Sequence, residues 1–155
     1  MDTQMIIIGL IFLAVFIVPY FLIKFFSAKK KLKLNTTIKS LLANSGMSDS
    51  ERVEVKDWII FLDSRLCKLA VVDKRNLDAK GEVIDIAQLK NCNVKSDADG
   101  GSLILIDLVL VFKDASLPDA RYTFYKFGVD RLFDARDLQH RAENLQQLVR
   151  TCIAK

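Results

Sequence analysis

Residues 58–73 read WIIFLDSRLCKLAVVD, two apolar runs separated by a short polar break. Both runs are rich in the β-branched and aromatic residues that favour strands, and Asp63, Ser64 and Arg65 supply a turn between them. The polar run DKRN at 73–76 ends the second strand. This stretch therefore predicts a tight antiparallel hairpin, and the other segments of the globular part are assigned relative to it.

Short strand-like segments and turns alternate after the hairpin. Strands are predicted at 83–86, 89–95, 103–112 and 121–127, and the segment SDADGG at 96–101 is a strong turn signal. Strand 103–112 is apolar on nearly both faces, so we expect it to be central in its sheet or covered twice. With the alternating residues just before the hairpin, the pattern predicts six or seven strands.

The C-terminal segment has a helical pattern that begins at Asp134 or Asp137. Its apolar residues recur every three or four positions, and its first acids favour the helix dipole. The apolar set is Leu138, Ala142, Leu145, Leu148, Val149, Cys152 and Ile153. We therefore expect an α+β, mainly β domain, in which an antiparallel sheet or partial barrel is capped by this amphipathic helix.

The N-terminal region contains a long apolar run. Residues 5–23 read MIIIGLIFLAVFIVPYFLI without one charge, and as a helix they would reach roughly 28 Å, the thickness of a bilayer's hydrocarbon core. A cleaved signal peptide fits less well because residues 1–4 carry no basic residue, and a buried core helix would show a polar face. The run predicts a single transmembrane helix over 5–26, after a short extracytoplasmic tail at 1–4.

Basic residues follow this run, and none precedes it. They are Lys24, Lys29, Lys30, Lys31, Lys33 and Lys39. The positive-inside rule then predicts a single-pass inner-membrane protein with its N-terminus outside and its C-terminal domain in the cytoplasm. The lysines are interpreted as topology determinants that also lie near anionic lipid headgroups.

Charge is distributed unevenly along the chain. Residues 1–46 carry six Lys and one Asp, whereas the remainder carries 17 basic and 18 acidic side chains. The isoelectric point near 9.0 is thus a property of the N-terminal segment and not of the globular part. A nucleic-acid partner is therefore not expected.

Residues 27–50 are predicted to be a basic linker with a short helix. Asn35 would cap this helix and Gly46 would end it, since Asn before and Gly after a helix are the expected residues. The residues leave open whether the helix lies on the membrane or on the domain. The compact domain is then expected over 51–155.

No pattern in the chain indicates catalysis or metal binding. Its cysteines, Cys67, Cys92 and Cys152, are widely spaced without a CxxC pair, which fits reduced thiols packed as small hydrophobic residues. Asp134, Asp137 and His140 lie on one helix face, but first-turn acids explain them more simply than a metal site does. P-loop, GxGxxG, GxSxG and HExxH motifs are absent from the sequence. We expect no catalytic, cofactor-binding or metal-binding residues.

The order of these segments resembles a known family. The hairpin at 58–73, the segment GEVIDIAQLKNCNVKSD at 81–97, the strand LILIDLVLVFKD at 103–114 and the terminal helix look like bacterial domains of pleckstrin-homology-like (PH-like) fold. The resemblance covers about residues 52–154. It implies a bent sheet or partial barrel with the last helix at one open end, and a module that binds proteins, peptides or lipids.

The resemblance does not imply phosphoinositide binding. Domains of this superfold that bind such lipids use a long basic loop between the first two strands, whereas the turn at 63–65 is short and begins with an acid. Lys74, Arg75 and Lys80 in the next loop are a possible secondary membrane contact. Aspartates alternate with them, so a solvated loop of mixed charge is the simpler interpretation.

Two functions follow from the sequence as hypotheses. The first is a membrane-anchored, non-enzymatic scaffold or recruitment module that binds an unidentified protein partner, through an added strand at a sheet edge or a groove beside the last helix. The alternative is a lipid- or small-ligand-binding domain at the inner leaflet.

Overall fold

The protein is described here by a computed structural model, which covers residues 3–47, 51–79, 81–130 and 134–154. The chain forms two units, residues 1–36 and residues 37–155. In chain order, the elements are α1 (Thr3–Ser45), β1 (Glu51–Glu54), β2 (Trp58–Asp63), β3 (Lys68–Asp73), β4 (Glu82–Asp85), a 3₁₀ turn (Ile86–Gln88), β5 (Leu89–Asp99), β6 (Ser102–Phe112), β7 (Ala120–Lys126) and α2 (Ala135–Ile153).

The strands form two antiparallel sheets. Sheet A has the order β1-β2-β3-β4, and sheet B has the order β5-β6-β7. The predicted hairpin is confirmed, since Trp58 pairs with Asp73 and Asp63 pairs with Lys68. Its turn extends through Cys67, which adopts a positive φ of 49°. The prediction that strand 103–112 is central is also confirmed, because β6 lies between β5 and β7.

The main core lies between the two sheets and α2. It combines alternate residues of the strands, including Ile60, Leu69 and Leu108, with the apolar face of α2. Helix α2 begins after Asp134, whose carboxylate accepts a hydrogen bond from the Arg136 N–H. The predicted amphipathic helix is therefore confirmed, with its N-cap at the earlier of the two expected positions.

A second buried layer covers the other face of sheet A. Residues Ile59 and Phe61 of β2 alternate with the core residues, so they face away from the main core, yet both are fully buried. The end of α1 lies close by, because a Cβ built on Gly81 would be 2.6 Å from Leu41 Cδ2 and 3.1 Å from Val72 Cγ2. The buried residues of this end are Ile38 and Leu42, followed by Met47. The sequence did not distinguish between a position of this segment on the membrane and one on the domain. In the structure, the last turns of α1 lie on the domain.

Helix α1 ends in a Schellman-type cap. Gly46 has a φ of 67°, its N–H donates to Ala43 O, and the Met47 N–H donates to Leu42 O. The predicted end at Gly46 is confirmed. The predicted start at Asn35 is wrong, because α1 continues through this residue without a break.

The predicted transmembrane anchor is not supported. In the part of the chain that the structure describes, no helix is both long enough and apolar enough to cross a bilayer. The structure therefore corrects the prediction of a membrane span at 5–26 and, with it, the single-pass topology and the inner-membrane location with a cytoplasmic domain. It also corrects the part of the PH-like resemblance that placed the domain behind a membrane anchor.

The predicted single sheet or partial barrel is corrected in the same way. Seven strands occur among the described residues, which is the larger of the two predicted numbers. In this described part of the chain they form a four-stranded and a three-stranded sheet and no closed barrel. The fold is α+β and mainly β, and this order of strands followed by a C-terminal helix is compatible with a PH-like sheet. Residues 1, 2 and 48–50, which belong to the predicted tail and linker, lie outside the described residues.

Candidate functional site

A groove of about 320 Å³ lies where the edge of sheet A faces the edge of sheet B. Strand β4 is the last strand of sheet A and β7 is the last strand of sheet B, and both border this space. We call it the β4/β7 groove. Its lining residues are Glu82, Val83, Ile84, Gln88, Phe112, Leu117, Pro118, Asp119 and Ala120.

The backbone of β4 presents hydrogen-bonding groups toward this groove. The Ile86 N–H donates to Cys67 O, and this pair continues the β3–β4 register in which Ile84 lies opposite Leu69. In an antiparallel ladder, hydrogen-bonded pairs alternate with pairs whose N–H and C=O groups point away from the partner strand. The backbone groups of Val83 therefore point out of the sheet edge.

The groove combines exposed apolar side chains with negative charge. Val83 is 39% exposed and Leu117 is 46% exposed, although both are large apolar residues. Glu82 and Asp119 supply two carboxylates, and no Lys or Arg occurs among the described residues that line the groove. Such a surface favours a ligand that carries both apolar and cationic groups.

Tyr122 of sheet B contacts side chains of sheet A at the end of the groove. The Tyr122 hydroxyl of β7 donates to Glu82 Oε2 of β4 at 3.4 Å. The Tyr122 ring also packs edge to face on Trp58, with 5.2 Å between the ring centroids. Burial first, and then the charge and hydrogen bond of Glu82, raise the pKa of the Tyr122 hydroxyl, so it stays a neutral donor at neutral pH.

Two further cavities follow the same side of sheet A. One of about 190 Å³ lies beside Trp58, Tyr122 and Glu82, so it shares Glu82 with the β4/β7 groove. The other, of about 470 Å³, lies between the end of α1 and the loop before β4, and it shares Ala79 and Gly81 with the smaller cavity. The edge of sheet A that ends in β4 is thus lined by three neighbouring depressions.

Helix α2 covers the first half of β5, which is one edge of sheet B. Gln146 Nε2 and Arg150 Nε both donate to the Cys92 carbonyl at 3.0 Å, and Arg150 Nη2 donates to Asn93 Oδ1 at 2.9 Å. These bonds occupy the position that an added strand would need beside α2. Burial raises the pKa of the Cys92 thiol to about 12, so this cysteine is a packing residue and not a nucleophile.

The structure pairs the described basic residues of the loop after β3 with acids. Lys74 Nζ lies 3.0 Å from Glu54 Oε1, and Arg75 lies 3.2 Å from the Asp73 carboxylate while stacking over the Trp58 ring. Lys80, the third predicted residue, lies outside the described residues.

Two pKa shifts reflect this pairing. Although burial acts in the opposite direction, the hydrogen bonds and charges of Lys74 and Arg52 hold the pKa of Glu54 below its ordinary value. The Asp73 hydrogen bond raises the pKa of Arg75. The described part of this loop thus contains ion pairs between Lys74, Arg75 and neighbouring acids.

The predicted lysines of α1 are exposed and are distributed along the helix. Lys24 Nζ lies 5.3 Å from the centre of the Tyr20 ring, and Lys29 Nζ lies 4.5 Å from the centre of the Phe25 ring. Lys30, Lys31, Lys33 and Lys39 are also exposed. The structure does not gather these lysines into a pocket.

Among the described residues, no group of three or more His, Cys, Asp and Glu side chains is placed to hold a metal ion. His140 is 78% exposed and lies 3.7 Å from Glu143, while Asp134 acts as the helix cap. Comparison with protein-family models, with curated proteins and with solved structures found no match. The interpretation of the candidate site therefore depends on the geometry of the residues that line it.

Sequence reasoning did not single out the groove residues. The segment at 83–86 was predicted as a short strand, but its sequence does not show that it is an edge strand or that it faces β7. These properties depend on the pairing of distant strands. Pro118 before β7 is the one local signal, since Pro is typical of strand ends and sheet edges.

Proposed function

We propose that this protein is a non-enzymatic protein-interaction module that binds an extended segment of a partner as an additional strand on β4. The observation that supports this most directly is the outward-pointing backbone of Val83 at the border of the β4/β7 groove. In strand addition, main-chain hydrogen bonds give affinity, and pockets for alternate side chains give specificity.

The groove also indicates the chemistry of the partner segment. Val83 and Leu117 would contact apolar side chains, and Glu82 and Asp119 would attract Lys or Arg. Side chains on an added strand alternate between the two faces of the sheet. The partner segment is therefore an extended stretch in which apolar and basic residues alternate.

Two other stretches of sheet edge are less suited to this role. The first half of β5 is blocked by the side chains of Gln146 and Arg150. At the opposite edge of sheet A, β1 carries the Arg52–Glu54 ion pair, and charged side chains on an edge strand disfavour further pairing. The β4 edge instead borders a groove in which Val83 and Leu117 are exposed, and its carboxylates, Glu82 and Asp119, would attract a basic segment.

The alternative of a lipid or small ligand inside the sheets has less support. Residues from both sheets and from α2 fill the space between them, with Leu62, Ile106 and Phe124 among the most buried side chains. A ligand of this kind would need a cavity there. The described depressions lie instead along the edge of sheet A.

A peptide-display selection with the full chain tests the proposal. We expect random linear peptides that bind to converge on alternating apolar and basic residues. Selected peptides are then measured by fluorescence polarisation against Val83→Pro, which removes the outward N–H of β4 without removing a bond to β3. We expect at least a tenfold loss of affinity.

Arg52→Pro is the matched control, since its backbone points outward on the opposite edge of sheet A. This follows from the bond between the Val55 N–H and Trp58 O together with the β1–β2 register. We expect this variant to retain peptide affinity. Equal binding by wild type and Val83→Pro, or a selection that yields acidic peptides, would contradict the proposal.

A further inference from the structure

Two cysteine side chains from distant parts of the chain meet at one backbone carbonyl. Cys67 Sγ lies 3.7 Å from Ser64 O, and Cys152 Sγ lies 3.9 Å from the same oxygen. The two sulfurs can therefore be no farther apart than the sum of these distances. Cys67 belongs to the turn between β2 and β3, and Cys152 belongs to the last turn of α2.

The turn that carries Cys67 is held by several hydrogen bonds. The buried Asp63 carboxylate accepts from the N–H groups of Arg65 and Leu66, both at 3.0 Å. The Cys67 carbonyl accepts from the Ile86 N–H at 2.9 Å. The Cys67 thiol is thus attached to a backbone that is fixed on both sides.

Cys67 also occupies an unfavourable backbone conformation for a residue with a side chain. Its φ of 49° lies in the left-handed region, where Gly and Asn are the usual residues. Its side chain is half-buried and packs against the main core. A cysteine at this position therefore places a thiol against α2 at a cost in backbone strain.

We infer that Cys67 and Cys152 are a thiol pair that hydrogen peroxide oxidises to an intramolecular disulfide. Cys67 reacts first, because it is the more exposed of the two. Its thiolate attacks one peroxide oxygen, which leaves a sulfenic acid and releases hydroxide. The Cys152 sulfur then attacks the sulfenic sulfur, the S–S bond forms, and the hydroxyl group leaves as water.

Electrons and protons balance in this sequence. The two sulfurs together lose two electrons, and the peroxide is reduced to two molecules of water, which take up the two thiol protons. The disulfide links the β2–β3 turn to the end of α2. Because it closes a long loop of the unfolded chain, we expect it to raise the denaturant midpoint of the domain.

Cys92 provides a matched control within the same chain. It is fully buried, and the hydrogen bonds from Gln146 and Arg150 of α2 go to its carbonyl. Burial also raises its pKa, so little thiolate is present at neutral pH. Oxidation of the folded protein is therefore expected to leave Cys92 as a thiol.

The test treats the full chain with hydrogen peroxide, blocks remaining thiols with an alkylating reagent and maps the peptides by mass spectrometry. We expect a crosslinked Cys67–Cys152 peptide, lighter than the two separate peptides by two hydrogen atoms, and an alkylated Cys92. The Cys92→Ser variant should give the same crosslink, and Cys67→Ser should leave Cys152 alkylated.

The same oxidation in denaturant shows whether the fold directs the pairing. In an unfolded chain the shorter loop favours Cys67 with Cys92, so the native pair should no longer dominate. Cys67 oxidised to a sulfinic acid while Cys152 stays alkylated, disulfides between two chains, or the same pairing in folded and unfolded samples would overturn the inference. This comparison uses the wild-type chain alone, so it does not depend on the folding of any variant.

Discussion

The Tyr122 hydroxyl and Glu82 Oε2 lie 3.4 Å apart and form a hydrogen bond from one sheet to the other. Tyr122 is buried and belongs to sheet B, whereas Glu82 is the first residue of the edge strand β4 of sheet A. Because β4 is only four residues long, such a contact helps to hold it beside the groove. The position of the candidate site thus depends on a contact between residues that are distant in sequence.

Tyr122→Phe removes this hydrogen bond and keeps the ring on Trp58. We expect the free energy of unfolding to fall by about 1 kcal/mol, since the distance is long for a strong bond. Urea unfolding measures the change. Tyr125→Phe on the same strand is the control, because its hydroxyl has no hydrogen-bond partner among the described residues, and its stability should change less. Equal effects of the two substitutions would contradict a role for the bond.

Gly81 lies where the end of α1 meets sheet A. An added Cβ would lie 2.6 Å from Leu41 Cδ2 and 2.9 Å from the Val71 carbonyl oxygen. Because its φ is not in the left-handed region, Gly81→Ala tests close packing alone. We expect a loss of about 1–3 kcal/mol in unfolding free energy, measured by urea titration.

The double variant with Leu41→Ala separates the two contacts of Gly81. Leu41→Ala removes the atom in the shorter contact, so Gly81→Ala should lower the unfolding free energy by a smaller amount in that background. The contact with Val71 O remains. If Gly81→Ala alone leaves the unfolding free energy unchanged, the end of α1 does not pack against this position.

The Cys92 thiol makes stability depend on alkaline pH. Burial raises its pKa from 9.0 to about 12, so the folded state keeps a proton that the unfolded state loses. A group with a raised folded pKa contributes stability below the unfolded pKa and loses it as pH rises through the folded pKa. We therefore expect unfolding free energy to fall between about pH 9 and pH 12, by at most about 1.4 kcal/mol per pH unit from this group.

The Cys92→Ser variant isolates this effect. Serine does not titrate in this range, so the difference in slope between the variant and wild type reports Cys92 alone, while tyrosines and lysines contribute equally to both. Denaturant unfolding at a series of pH values measures the two slopes. Parallel curves would mean that the Cys92 thiol is accessible to hydroxide in the folded protein.

Local sequence patterns predicted the hairpin, β6 and α2 well, but β5 continues to Asp99 through residues that were predicted as a turn. The alternation and β-branched content around 58–73 indicated the first hairpin, and the helical period after Asp134 indicated α2, because each of these signals is confined to one element. The turn through Cys67 was underestimated, since a positive φ at a cysteine has no compositional signal.

Properties that depend on pairing or on tertiary contacts were not predictable in this way. Asn35 is a good N-cap residue, but no Gly or Pro lies near it to end the preceding helical segment, so α1 continues through it. The division into two sheets and the meeting of β4 with β7 follow from long-range register. The β4/β7 groove was therefore absent from the predictions, although an exposed sheet edge was proposed as a binding mode.

Amide hydrogen exchange of the full chain, with and without a peptide selected by display, tests strand addition most directly. The N–H of Val83 is expected to become protected when the peptide binds, because it would donate to the backbone of the added strand. The outward N–H of Arg52 on the opposite edge should be unaffected. Protection at Arg52, or binding that leaves the exchange of Val83 unchanged, would contradict the proposal that β4 is the recognition strand.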